Sequence, residues 1–128
     1  MADKILYSLI ESAGHPDFSL LYKKLGLQEQ RLFSTRKVMS AIKKQPPDFV
    51  VAEFFYGYGN NYAGVNISNL DVMLYSLQKF SPQARVFVLV YKSECQYVDK
   101  LNEVFPLAAV LILPVQEAQM ESHLLDNL

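Results

Sequence analysis

Residues 47–53, PDFVVAE, constrain this chain most. Phe49, Val50, Val51 and Ala52 form an unbroken apolar run between a pair of prolines and a glycine-rich segment. A run so short, rich in β-branched and aromatic side chains, suits a central strand covered on both faces. It ends on a lone carboxylate, Glu53. In open parallel sheets, sites form at the carboxyl ends of strands. The chemistry of Glu53 is therefore the first question about function.

The rest of the chain alternates around this strand. Residues 4–10, KILYSLI, read as a buried first strand, followed by a loop over 11–15. Pro16 suits the first position of a helix. Phe18, Leu21 and Leu25 recur at helical spacing, and Gly26 suits a C-terminal cap. Residues 31–33 suggest a short strand. Ser34 or Thr35 caps a second helix, with Val38, Met39 and Ile42 inward and Lys37, Lys43 and Lys44 outward. Pro46 and Pro47 stop it, because a residue before proline is pushed out of the helical region.

Residues 54–67, FFYGYGNNYAGVNI, are long for a strand-to-helix loop and hold five aromatics among glycines and asparagines. Ser68 with Asp71 reads as a capping box for a third helix, with Leu70, Met73, Leu74, Leu77 and Phe80 on one face. Residues 85–91, RVFVLVY, are the strongest strand pattern. Ser93 caps a fourth helix with Tyr97, Val98, Leu101, Val104 and Phe105 inward. Residues 108–113 form the last strand and 116–128 the last helix, with Met120 and Leu124 on one side. Such alternation implies a parallel sheet with right-handed crossovers and helices on both faces.

At 128 residues the expectation is one domain over the whole chain. With 51% hydrophobic and 20% charged residues it reads as globular rather than disordered. A formal net charge of -1 gives no basic field to attract nucleic acid or anionic lipid. The single cysteine, Cys95, favours a reducing compartment. Neither a signal peptide nor an apolar run of spanning length is visible, so a cytoplasmic protein is expected. His15, Cys95 and His123 match no zinc spacing, and neither a metal, a cofactor nor catalysis is expected.

In sequence order, residues 41–53 (AIKKQPPDFVVAE), 84–91 (ARVFVLVY) and 111–115 (LILPV) resemble the third, fourth and fifth strand regions of the receiver domain of bacterial two-component signalling. The resemblance covers nearly the whole chain. It implies a flavodoxin-like, doubly wound five-stranded parallel sheet in the order 2-1-3-4-5. In that family the residue at the Glu53 place is a phosphoacceptor aspartate. The paired acids that hold Mg²⁺ fall on Leu9 and Ile10, with Glu11 just beyond. The Ser/Thr place holds Val90, the Lys place Leu113 and the aromatic switch place Val110. Mg²⁺ wants hard oxygen ligands, and phosphoryl transfer needs the metal and a cation. Apolar side chains supply neither. The resemblance therefore implies a degenerate pseudo-receiver that is not phosphorylated and is not an enzyme.

Two functions follow as expectations. The first is an interaction or regulatory module that binds a signalling protein or pairs with itself, as receivers do through their last helices and strand. The alternative is a small enzyme or ligand-binding domain using the pocket around Glu53, although no second positioned acid, base or cation is evident there. Glu53 either mimics a phosphorylated state or is satisfied by amides of the following loop. Phe54, Phe55, Tyr56, Tyr58 and Tyr62 either form a docking surface, with Phe55, Tyr56, Tyr58 and Tyr62 as its candidate residues, or some of them fold down as a plug over the vacant pocket.

Overall fold

The computed structural model describes residues 4–57 and 68–128. Ten elements alternate along the chain: β1 (Lys4–Leu9), α1 (Ser19–Lys24), β2 (Leu27–Leu32), α2 (Thr35–Lys44), β3 (Phe49–Glu53), α3 (Asp71–Phe80), β4 (Arg85–Val90), a 3-10 helix (Lys92–Glu103), β5 (Ala109–Ile112) and α4 (Glu117–Asn127). The strands form one sheet in the order β2-β1-β3-β4-β5, every neighbouring pair parallel. Leu6 lies opposite Phe49, and Phe49 opposite Arg85, so β3 is central.

Alternation within the strands divides the core in two. Tyr7, Leu9, Val50, Ala52, Val86, Val88 and Val90 pack under α2, α3 and the 3-10 helix. Leu6, Phe49, Val51, Phe87, Leu89 and Leu111 pack under α1 and α4. All five residues of β3 are buried, as its unbroken apolar run requires. This is the doubly wound arrangement implied by the alternating pattern.

Local chemistry explains the element ends. Ser34 caps α2 by accepting from the Lys37 amide at 3.2 Å. Gln45, the residue before Pro46, is extended at φ -148 and ψ 99. Gly26 follows α1 at φ 79, in the left-handed region where a side chain is strained. Gln116 and Gln119 form a reciprocal capping box on α4.

Four expectations are corrected. The second strand is Leu27–Leu32, not 31–33. Its middle is polar because it is an edge strand, and Glu29 there accepts from the buried Ser8 hydroxyl at 2.6 Å. Pro16 lies ahead of α1, which starts only at Ser19. Ser68 and Asp71 do bond, the Ser68 amide and hydroxyl both donating to Asp71 Oδ1, at 2.8 and 2.9 Å. They close the turn before α3 rather than cap it, and the Ser68 hydroxyl accepts from the Leu70 amide at 3.0 Å. The segment after β4 is a 3-10 helix without a Ser93 cap, although Val98, Leu101 and Phe105 do point inward. No helix among the described residues is long and apolar enough to cross a membrane.

Candidate functional site

β3 delivers Glu53 to the carboxyl end of the sheet, where it is only 1% exposed. A bare carboxylate buried this deeply would be prohibitive. The adjacent strand solves the problem. β1 ends at Leu9, and the Ile10 amide still donates to Leu32 on β2. The chain then bends over Glu53. The Glu11 amide donates to Glu53 Oε2 at 2.6 Å and the Ser12 amide at 3.2 Å. The Ser12 hydroxyl donates to Oε1. His15 Nδ1 lies 3.1 Å from Oε2, its side chain 3% exposed. The segment is itself a tight turn, with the His15 amide donating to the Ser12 carbonyl. A Cβ at Gly14 would meet the hydroxyl of the exposed Tyr91, whose side chain would have to shift.

The electrostatics follow from these partners. Burial pushes the Glu53 carboxyl up. The bonds from His15, Ser12 and the Glu11 amide outweigh it and hold the group below its ordinary range. Glu11 goes the other way: burial raises it, Asn69 partly offsets this, and repulsion from Glu53 adds to the rise. Asn69 ties the two sides together. Its Nδ2 donates to Glu11 Oε1 at 2.6 Å and to the Glu53 carbonyl at 2.8 Å, while Oδ1 accepts from the Phe55 amide at 2.8 Å.

Two sequence expectations change here. The amides that satisfy Glu53 come from the loop before α1, not from the loop after β3. A basic side chain, His15, does stand beside Glu53, although it is 38 residues away in sequence. Ser12, His15 and Asn69 were not singled out for this site. Their one usable signal is that Ser12 and His15 follow a strand that neighbours β3.

No protein-family model matches the chain, and no curated protein matches its sequence. Solved structures do match its shape. A response regulator receiver domain from Clostridium thermocellum superimposes with TM-score 0.72 at 16% identity, over 98% of this chain and 93% of the other. A CheY-like receiver from Methanospirillum hungatei gives 0.73 at 9%, over 98% and 93%. The receiver domain of a sensor histidine kinase from Pseudomonas aeruginosa, solved with magnesium coordinated in its active site cleft, gives 0.73 at 8%, over 98% of each chain. This is a receiver fold.

Within the receiver fold, the expected site positions separate. Leu9 and Val90 are fully buried in the α2/α3 core, and Leu113 packs in the opposite core with Phe18 and Met120. Ile10 is half-buried, and Glu11 joins Glu53 through Asn69. Val110 is exposed on β5. Phe55 is half-buried, while Tyr56 is 49% exposed and stacks on Tyr97 with ring centroids 3.7 Å apart. The Tyr56 amide donates to Glu94 at 3.0 Å. Tyr58 and Tyr62 lie outside the described residues. Cys95 is a free, half-buried thiol, and His123 packs edge-on to Phe87.

The residues around Glu53 do not fit a hard divalent cation. Both carboxylate oxygens already accept from N–H and O–H groups, and Leu9 and Ile10 add no oxygen ligand. Among the described residues no group of three or more His, Cys, Asp or Glu could hold a metal ion.

Proposed function

We propose that this receiver-fold domain is a pseudo-receiver: a regulatory module of bacterial two-component signalling that is not phosphorylated on Glu53 and acts by binding another protein. The observation that carries this reading is that both oxygens of the buried Glu53 carboxylate already accept hydrogen bonds. A phosphoacceptor must offer a free oxygen lone pair beside a metal and a cation that absorb phosphoryl charge. Here the lone pairs face Glu11, Ser12 and His15, and the places of the metal acids, the hydroxyl and the lysine hold Leu9, Ile10, Val90 and Leu113.

The partner is a cytoplasmic signalling protein, with self-pairing as a second mode through exposed Ile112, Leu125 and Leu128. Tyr56, exposed and braced by Tyr97, is the aromatic anchor of the docking face, together with Phe55. Nucleic acid is disfavoured by the net charge of -1. The His15–Glu53 pair is what favours the enzyme reading, since a carboxylate commonly orients a catalytic histidine. The near-complete burial of His15 keeps substrate from its ring and weighs against it.

The test is incubation with acetyl phosphate and Mg²⁺ followed by intact-mass measurement. No phosphoryl adduct is expected. A stable adduct that disappears in Glu53→Gln would overturn the reading.

A further inference from the structure

Next to the Glu53 site lies a depression of about 680 Å³ lined by Glu11, Ser12, Phe33, Ser34, Thr35 and Phe55. Among the described residues the lining holds two phenyl rings, one carboxylate and three hydroxyls. Phe33 is 63% exposed, directly after a strand whose own Leu32 is buried. Glu11 uses Oε1 to accept from Asn69. No lysine, arginine or histidine among the described residues lies within ion-pair distance of it. Partial burial and the neighbouring Glu53 both disfavour its ionised form. Arg36 and Lys37, in the first turn of α2, are exposed and form no part of the lining. The depression thus sets a carboxylate with no cationic partner among the described residues against aromatic walls.

We propose that this depression receives an arginine side chain from a protein partner, the guanidinium lying against Phe33 and Phe55 and pairing with Glu11. The choice follows from complementarity. A guanidinium has five donors and no acceptor, and the lining offers a carboxylate and hydroxyl oxygens to accept them. Its planar, weakly hydrated face stacks on phenyl rings, whose π faces attract a cation. An anion would meet Glu11 head-on. A neutral aromatic group would bury the carboxylate further without pairing it. A hard metal ion would find one carboxylate and no octahedral oxygen set. The inference rests on the docking reading above for the source of the side chain, not for the site itself.

The experiment titrates acetyl-arginine-methylamide, and separately its neutral isostere acetyl-citrulline-methylamide, into ¹⁵N-labelled protein. Saturable shifts are expected at the Glu11, Ser12, Thr35 and Phe55 amides with the arginine compound alone, weakening as salt is added. Glu11→Gln keeps an oxygen for Asn69 but removes the charge, and affinity should fall about tenfold, the size expected for losing a charge-assisted bond. Phe33→Ala, an exposed position, should also weaken binding while the spectrum stays folded. Equal shifts with citrulline, or binding unchanged in Glu11→Gln, would overturn the proposal. Acetyl phosphate labelling reports separately: a phosphorylated protein that still binds arginine here loses the pseudo-receiver reading and keeps this site.

Discussion

His15 Nδ1 meets the carboxylate of Glu53 at 3.1 Å, with both side chains almost wholly withdrawn from water. A residue of the turn between β1 and α1 thereby meets the end of the central strand inside the molecule. Glu53→Gln should cost roughly 3 kcal/mol in denaturant unfolding, because an amide NH₂ would face N–H donors that now have an acceptor.

The pH dependence has a definite sign. Glu53 is held below its ordinary 4.5, so the unfolded chain takes up this proton before the folded one does. Its contribution to stability is complete above 4.5 and is lost as pH falls through the lower folded value. Melting curves of wild type and Glu53→Gln should therefore converge on the acid side of 4.5. Glu11 has the opposite sign: raised in the fold, it opposes folding once ionised. Glu11→Gln should melt no lower than wild type at neutral pH.

Asn69→Ala should be costly for a half-exposed polar position. It removes three bonds that join Glu11, the Glu53 carbonyl and the Phe55 amide. At about 1 kcal/mol net for each, the loss is roughly 3 kcal/mol by urea unfolding. A loss under about 0.5 kcal/mol would show that water replaces all three.

Phe54 and Tyr56 should separate plug from docking surface. Phe54 is 1% exposed in the α2/α3 core, and Phe54→Ala should cost about 3–5 kcal/mol. Tyr56→Ala removes an exposed ring and its stack on Tyr97, and should cost about 0.5–1.5 kcal/mol while weakening association with a partner. A Tyr56→Ala variant that binds its partner undiminished would remove this ring from the docking face.

Mg²⁺ should leave the melting temperature where it is. A ligand specific to the native state at a hundred times its Kd would add about 2.7 kcal/mol. A magnesium-dependent upward shift would mean that the donors around Glu53 yield to the ion.

Legibility in the sequence followed burial. β3 and β4 are buried along nearly their whole length, so their apolar runs announced them. β2 lies at an edge with Gln28, Glu29, Gln30 and Arg31 in its middle, and no run existed to find. The alternation of elements, with the resemblance of residues 41–53, 84–91 and 111–115 to receiver strands, was enough for the sheet order. The site was legible only at its centre. Glu53 could be placed because it ends a strand. Its partners are set by strand adjacency rather than by local pattern, and nothing about Ser12 or Asn69 as single letters signals a carboxylate 41 residues away or a backbone carbonyl 16 residues away.

Tyr56 and Ser68 form an isolated antiparallel bridge, and the Asn69 amide donates to the Phe55 carbonyl just inside it. The two chain ends that flank residues 58–67 are thus clamped together by the body of the domain. Closure entropy grows only logarithmically once the ends are fixed, and doubling such a segment adds about 0.6 kcal/mol. Lengthening the chain between these two ends therefore carries only a small entropic cost. An insertion between Gly57 and Ser68 is therefore expected to leave the stability of the sheet and of the Glu53 cage unchanged.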